Sequence, residues 1–229
     1  MFKALFASTA SLALIFSASA AIAAPRAFTI NDDKNRDLAS FDSDAPLELI
    51  HGRTPKITGS ISIDDSLDLT KPLAANFDVD LASIDTGIDL RNEHMRDNFL
   101  ETAKYPKASF VLKKFLNPPK KLEAGKKITL KAQGDFSLHG KTVSKTIPVD
   151  LVYMTKCPST ESKRPGCDII QIKAVFAVPF KDHNIKRPEA VFQKLADQVI
   201  VTVSATAYNQ VGDAASKDKT SKAPAGKTK

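Results

Sequence analysis

Six ionisable side chains crowd one short stretch of the chain. They are Arg91, Glu93, His94, Arg96, Asp97 and Glu101. Carboxylates beside a histidine could transfer protons or bind a metal ion. In a helix, however, successive residues turn by about 100°, so this set spreads around the rod instead of converging on one point. A solvated face with local ion pairs is the simpler interpretation, and we predict no metal and no catalytic residue.

Other patterns typical of catalysis are missing from the sequence. The four histidines are His51, His94, His139 and His183, and none of their spacings is typical of zinc ligands. No Gly-x-Ser-x-Gly segment marks a nucleophile. The net charge is +7, but the basic residues are scattered and are not interleaved with aromatic residues that could stack on bases. A nucleic-acid interface is therefore not supported. We therefore expect neither an enzyme nor a nucleic-acid-binding protein.

The N-terminus has the pattern of a cleaved secretory signal. Lys3 supplies a small positive charge, and the apolar run at residues 4–18 is too short to cross a bilayer. Ala21 and Ala23 fit an A-x-A cleavage site. We predict a signal peptide over residues 1–23 and export to the periplasm, with an uncleaved anchor as the alternative. No later stretch is apolar for long enough to span a membrane.

The C-terminus differs in composition from the rest of the chain. Residues 211–229 hold five Lys against two Asp and show no apolar periodicity. We expect a disordered Lys-rich tail, with weak contact to anionic lipid or cell-wall polymer as an alternative. Residues 24–210 are then long enough for one well-filled domain.

Cys157 and Cys167 are the only cysteines. In an exported chain an even count points to a disulfide, and the segment between them carries the Pro and Gly of a loop. We predict that the two pair and staple a hairpin, which would stabilise the fold by roughly 2–3 kcal/mol if the native geometry is unstrained.

Most of the remaining sequence alternates between apolar and polar residues, which is typical of strands with one buried face. At residues 170–180 every even-numbered residue is apolar. Similar runs occur at 57–63, 77–81, 108–112, 128–132, 136–138, 147–153 and 199–207, and further strands are expected near Phe28, Phe41 and Leu49. Eight or more strands with short connections predict an all-β antiparallel sandwich or barrel.

Two short helices are expected between strands. The first covers about residues 88–103, with Asp85 or Asp89 as its N-cap, and stops before Pro106. The second begins at Pro188, a favourable first helical position, and runs to about Ala196. In a closed sheet these helices would cap the ends.

A closed eight-stranded sheet is either filled by its own side chains or wide enough for one ligand. The chain has 13 Phe and no Trp, and Phe supplies apolar area without a polar atom to satisfy. The inner-face candidates are Phe77, Val79, Phe110, Leu112, Phe136, Leu138, Ile172, Phe176, Val178, Val201 and Val203. The pattern alone does not decide between a filled barrel and a cavity.

Two segments carry a resemblance to a known family. Residues 81–110 contain Ser83-Ile84-Asp85-Thr86-Gly87 at a strand end, then Arg91, His94-Met95, Phe99-Leu100, Tyr105-Pro106 and Phe110. Residues 134–149 add a strand opening with Gly134-Asp135, a His139-Gly140 turn and a returning strand. In order and spacing these segments resemble the YceI family of secreted, lipocalin-like isoprenoid-binding proteins.

The resemblance implies an antiparallel eight-stranded lipocalin-like barrel with short capping helices. It also implies that the inner-face candidates line an apolar tunnel for an isoprenoid chain, such as a quinone or polyprenyl tail, or for a similar long-chain amphiphilic lipid. Such a periplasmic carrier needs no cofactor. An interaction or stress-related protein with a self-filled barrel and an enzyme acting on an isoprenoid lipid stay open as alternatives, and a homodimer is an open option for its assembly.

The charged helix then has a second interpretation. Arg91 and His94, three apart, would meet the polar head of a lipid at the barrel mouth, while Met95 and Phe99, four apart, point inward. We predict these four residues as a head-group site, with the solvated face as the alternative.

Overall fold

The structure is a computed structural model that describes residues 24–32, 34–155, 167–187 and 193–209. The strands in these residues are β1 (Arg26–Asn31), β2 (Leu38–Asp44), β3 (Leu49–Thr54), β4 (Ile57–Ile63), β5 (Ala74–Asp80), β6 (Lys107–Leu116), β7 (Lys127–Leu138), β8 (Lys141–Met154), β9 (Ile169–Pro179) and β10 (Gln198–Asn209). Helix α1 (Asp89–His94) lies between β5 and β6 and continues as a π-helical turn, Met95–Phe99. Short 3-10 turns follow β5 at Leu81–Ser83 and β9 at Phe180–His183.

The sheet closes into a barrel. Antiparallel neighbours follow the order β1-β4-β5-β6-β7-β8-β9-β10, and β10 pairs back with β1 through Thr29 and Tyr208. The edge of β10 that pairs with β1 also pairs with β2. On their other edges, β1 pairs with β4 and β2 pairs with β3. Two of the eight barrel strands are therefore interrupted, each built from two segments. The eight-stranded antiparallel barrel expected from the sequence is confirmed.

The β7–β8 hairpin shows how local sequence sets the register. Its pairing runs without a break from Lys127 opposite Val152 to Leu138 opposite Lys141, so the runs at 128–132 and 136–138 belong to one strand. His139 and Gly140 form the predicted turn, with φ of 51° and 70°. Two left-handed residues suit a two-residue hairpin, because their backbone twist matches that of the strands.

The helical segments differ from the expectation in two ways. The N-cap of α1 is Ile88, which makes no side-chain cap, so the prediction of Asp85 or Asp89 as N-cap is wrong. The Asp85 carboxylate instead accepts the N–H of Gly87 at 2.8 Å, an Asx turn that competes with capping. For the second predicted helix, residues 188–192 lie outside the described residues, and residues 193–196, which were expected in its last turn, form a turn and a bend and not a helix.

One end of the barrel, the base, is covered by the loops at residues 64–73 and 117–126. The two loops pair with each other: Leu69 N donates to Lys120 O at 3.1 Å, and Leu122 N donates to Leu67 O at 3.1 Å. All three leucines are buried. Their side chains join the main apolar cluster of the barrel and close this end.

A polar network fixes strands together beside the base. Arg26 of β1 donates to Asp168 at 2.9 Å and to the Tyr153 hydroxyl at 3.0 Å, and that hydroxyl donates to Asp168 at 2.6 Å. Burial of the ring, followed by its hydrogen bond to Asp168, raises the pKa of Tyr153 to about 12. The network ties the first strand to the end of β8 and the start of β9.

We expect Tyr153→Phe to lower the free energy of unfolding by about 1–3 kcal/mol at pH 8, because Asp168 loses a buried donor. The pKa of Tyr153 lies above the value of about 10 in an unfolded chain. Its contribution is therefore complete below about pH 10 and is lost as the pH rises towards about 12. Urea unfolding across this range should show that loss in the wild type and a smaller one in Tyr153→Phe. If Tyr153→Phe lost stability with pH as steeply as the wild type, the result would contradict the assignment of this loss to Tyr153. Tyr105→Phe is the control.

Candidate functional site

The barrel interior is not filled by its own side chains. It encloses a cavity of about 690 Å³, lined by residues from β2 to β10 and from the loops at both ends. Pockets that enclose a small organic ligand typically measure about 300–1,000 Å³. We call the end opposite the base the mouth; the β2–β3 turn, helix α1 and residues 193–195 meet there.

The inner-face candidates from the sequence all line this cavity. They are Phe77, Val79, Phe110, Leu112, Phe136, Leu138, Ile172, Phe176, Val178, Val201 and Val203. Several of them, among them Phe77, Phe176 and Val203, are only half-buried although they point inward. They pack against the buried clusters and leave part of their surface facing the cavity. Their role in holding a ligand stays a prediction.

Four rings form a phenylalanine belt across the cavity wall: Phe77, Phe110, Phe136 and Phe176. Phe110 lies opposite Phe77 on one side and opposite Phe136 on the other. The rings of Phe136 and Phe176 meet edge to face, with centroids 5.6 Å apart. Edge-to-face contact is a favoured aromatic geometry, so the belt is a defined apolar surface.

Two glycines leave space for rings of the wall. A Cβ on Gly134 would lie 2.6 Å from the Phe110 ring, and one on Gly52 would lie 2.2 Å from the Phe41 ring. Phe41 lines the cavity but was expected only as part of a strand. A period-two pattern identifies which residues face inward, but it does not show which glycine faces which ring across the sheet.

The charged helix divides its side chains between the mouth and solvent. Arg91, His94, Met95 and Phe99 all line the cavity, so the structure brings the predicted head-group residues together. Met95 and Phe99 pack against the apolar cluster at the mouth, while Glu93, Asp97 and Glu101 are exposed. Their assignment to a lipid head group stays a prediction.

Arg91 is held by partners that the sequence did not indicate. Its guanidinium contacts Glu48 of the β2–β3 turn at 2.5 Å and donates to Thr86 Oγ1 and Thr86 O, each at 2.9 Å. Glu48 lies 43 positions earlier, and nothing in its local sequence predicts this pairing. The ion pair joins the two sides of the mouth.

Asn92 is the buried centre of the loop below the mouth. Its Oδ1 accepts from Thr86 N at 2.8 Å and from Thr86 Oγ1 at 2.7 Å, and its Nδ2 donates to Asp85 at 2.8 Å. The hydrogen bond from Gly87 N, and after it the one from Asn92, lowers the pKa of Asp85 below its usual value. Asp85 also pairs with Arg53 through two backbone hydrogen bonds of 2.9 Å, which fix the loop to β3.

Two hydroxyl groups of the cavity lining, those of Thr54 and Ser109, make hydrogen bonds to residues outside the lining. Thr54 and Ser83 share a hydroxyl hydrogen bond of 2.6 Å, and the Ser109 hydroxyl donates to Asp78 at 2.7 Å. Among the described residues that line the cavity, the ionisable ones are Glu48, Arg91, His94 and Lys194, and all four lie at the mouth. The cavity lining is therefore mostly apolar and is charged only at its opening.

Two histidines come together away from the cavity. The Nδ1 of His139 donates to His183 O at 3.0 Å, and the His183 ring lies edge-on to Phe136 with centroids 5.2 Å apart. Burial lowers the pKa of His183, so its neutral form is favoured. Within the described parts of the chain, no group of three or more His, Cys, Asp or Glu could hold a metal ion.

Three predictions concern residues outside the described part of the chain. These are the signal peptide at 1–23, the tail at 211–229, and the Cys157 half of the predicted disulfide. Cys167 is described and is buried beside Tyr208. Among the described residues, no helix is long and apolar enough to cross a membrane.

A closed antiparallel barrel with an apolar interior and a charged mouth defines a ligand-binding barrel of the lipocalin-like class. The chain belongs to the YceI family, because the model of the YceI-like domain matches residues 33–207. The family resemblance in the sequence is thus confirmed.

Known relatives cover most of the chain. Protein YceI of Escherichia coli O6:H1 is 28% identical over 177 residues, which span 76% of this chain and 82% of that protein. BcnA of Burkholderia cenocepacia has a TM-score of 0.57 at 18% identity, covering 77% of this chain and 99% of that one. A polyisoprenoid binding domain from Saccharophagus degradans has a TM-score of 0.57 at 19% identity, covering 81% and 99%. At these identities the two solved structures show a shared fold.

Proposed function

We propose that this protein is a carrier that holds one isoprenoid or similar long-chain lipid. The chain of the lipid lies in the cavity, and its polar head lies at the mouth beside Arg91 and His94. The observation that carries this proposal is the cavity itself: about 690 Å³ of apolar space whose ionisable lining residues lie only at its opening. The solved domain from Saccharophagus degradans, named for polyisoprenoid binding, supports the same ligand class.

The energetics favour a long apolar chain. Burying about 20 ligand carbons at about 0.8 kcal/mol each would supply about 16 kcal/mol. Association costs of about 4–15 kcal/mol leave a useful affinity only when most of the chain is buried. A short ligand would not meet this cost, so we infer a long-chain lipid as the cargo.

Binding, rather than catalysis, is the proposed activity. An enzyme acting along a lipid chain would need polar groups that converge inside the barrel. In the described lining, the ionisable groups are confined to the mouth, and the Glu48 and Arg91 pair there is already engaged. A carrier of this kind would work in the periplasm, after export by the signal predicted at residues 1–23 and oxidation of Cys157 and Cys167.

Native mass spectrometry of the protein purified without detergent tests the carrier proposal. We expect a mass increment that organic extraction releases as a long-chain lipid. Protein that carries no such ligand, and that binds none of a series of isoprenoid alcohols, would contradict it.

Changing the phenylalanine belt by one ring should alter ligand selection. We expect Phe176→Leu to shift the preferred chain length of bound isoprenoid alcohols and to cost about 1–2 kcal/mol of stability, because apolar substitutions partly repack. Phe28→Leu is the matched control, since Phe28 is fully buried but does not line the cavity. It should lose stability with no change in chain-length preference. An equal shift in both variants would count against direct contact with the ligand.

A further inference from the structure

Large aliphatic side chains lie exposed around the mouth. Leu49 is 67% exposed, Leu47 65% and Leu90 60%, and they are the three most exposed large apolar residues in the described chain. Ile88 adds a fourth at 51%. We call these four residues the apolar rim. Single exposed leucines are ordinary on a protein surface, but a group at one place indicates an interaction site.

Tertiary contacts bring the apolar rim together from two parts of the chain. Leu47 and Leu49 flank Glu48, while Ile88 and Leu90 precede Arg91, and the Glu48 and Arg91 side chains are 2.5 Å apart. The turn is also fixed on its other side, where Leu47 N donates to Gln193 O at 2.9 Å. The rim is thus held as part of the folded mouth.

The rim is continuous with the cavity wall. Ile88 and Leu90 line the cavity and are also exposed to solvent, so apolar surface at these two residues reaches from the outside into the barrel beside the charged side chains of the mouth. His94 and Lys194 also line the mouth and are exposed, and the exposed carboxylate of Asp89 lies between Ile88 and Leu90, so polar groups of both signs stand beside the aliphatic groups. Aliphatic side chains flanked by polar groups suit the boundary between zwitterionic lipid head groups and acyl chains.

We propose that the apolar rim docks on the surface of a lipid bilayer, with the mouth facing the membrane. This inference rests on the proposed function: a long-chain lipid would pass between bilayer and cavity beside Ile88 and Leu90, which would limit exposure of its chain to water. Docking buries the leucines at the level of the upper acyl chains. The phospholipid bilayer, and not a protein partner, is the occupant that shares the chemistry of the cavity's cargo.

Tryptophan reporters test the docking directly, because the natural chain contains no Trp. Leu47→Trp places a reporter in the rim, and Val111→Trp is the matched control at a site on the barrel wall that is 52% exposed and outside the cavity lining. The full chain is mixed with phosphatidylcholine vesicles in about 1 M salt, where a screening length of about 3 Å suppresses adsorption through the Lys-rich tail. We expect a blue shift, and quenching by brominated phosphatidylcholine, for Leu47→Trp alone.

Three outcomes would overturn the proposal. They are no response of the rim reporter, an equal response of both reporters, and a rim blue shift without vesicles that grows with protein concentration. The last outcome would assign the rim to contact with a second copy of the chain.

Lipid exchange separates this inference from the carrier proposal. Leu47→Ser/Leu49→Ser changes rim residues that do not line the cavity, and Val111→Ser/Val175→Ser is its control on the outer wall. We expect the rim variant to keep the lipid content of the wild type by native mass spectrometry, but to exchange an isoprenoid alcohol with vesicles about tenfold more slowly. Wild-type exchange rates in a loaded rim variant would overturn docking and leave the carrier proposal intact. Unloaded wild-type protein whose rim still docks would overturn the carrier and support the docking surface.

Discussion

Filling the cavity from its wall should weaken lipid binding about a hundredfold while the barrel stays folded. We expect Val203→Phe to lower the affinity for a long isoprenoid alcohol about a hundredfold. Val203 points into the cavity and lies between Ala174 and Ala39 on the neighbouring strands, so these small side chains leave space for a ring that projects inward. Excluding about four ligand methylenes at about 0.8 kcal/mol each removes about 3 kcal/mol, which corresponds to about a hundredfold.

The expected cost in stability for this substitution is small. The new ring enters open space, so the free energy of unfolding should change by no more than about 1 kcal/mol, unlike an insertion into a packed core, which costs about 1–3 kcal/mol. Val175→Phe on the outer face of β9 is the matched control and should bind lipid as the wild type does. Titration with alcohols of increasing length, together with urea unfolding, measures both effects. A loss of about 3 kcal/mol in stability would mean that the interior is packed around Val203.

Removing the buried amide below the mouth should have the second large effect. We expect Asn92→Ala to lower the free energy of unfolding by about 2–3 kcal/mol, because both groups of Thr86 and the Asp85 carboxylate lose a partner. Amide hydrogen exchange should quicken across residues 84–100, and lipid should dissociate faster. Asn98→Ala is the control, since Asn98 is an exposed residue of the same type in the same segment. Its effect should stay within about 0.5 kcal/mol. Equal small effects in both variants would contradict a structural role for Asn92.

Asn92→Asp separates the amide's donor from its acceptor. The new carboxylate would keep the acceptor for Thr86 but would face the Asp85 carboxylate, which now receives the Asn92 Nδ2 donor at 2.8 Å. Two carboxylates this close raise one pKa of the pair above its unfolded value. The folded variant would then bind a proton more tightly than the unfolded chain, so it should regain stability as the pH falls through about 5 towards 4. If the stability lost by the variant relative to the wild type were the same above pH 5 as near pH 4, the result would contradict a direct contact with Asp85.

Much of the barrel could be predicted from residue order because strand structure has a local period. Alternation at residues 170–180 assigned Ile172, Phe176 and Val178 to one face, and a closed sheet leaves that face only the interior. The His139-Gly140 turn was equally readable, since its two left-handed residues fix a hairpin register without help from distant residues.

The prediction of Asp85 or Asp89 as the N-cap of α1 was wrong for a reason that the local sequence could not show. Asp85 is a suitable N-cap residue by type, and it precedes the helix at a plausible distance. In the fold its carboxylate is held by Gly87 and Asn92, and its backbone pairs with Arg53 of β3. A contact with a strand 32 positions earlier along the chain therefore contributes to where the helix begins.

By itself, the sequence determined which residues form strands, which side of each strand is apolar, and that the chain resembles the YceI family. Only the tertiary structure decided whether the interior is filled, because the size of a barrel depends on strand number and stagger, which are properties of the closed sheet. The tertiary structure also determined which residues form the mouth, where Glu48 contacts Arg91 and where the two pairs of exposed aliphatic residues beside them lie. Periodicity acts between neighbours along the chain, whereas cavity volume and the mouth depend on contacts between segments that only closure of the sheet brings together.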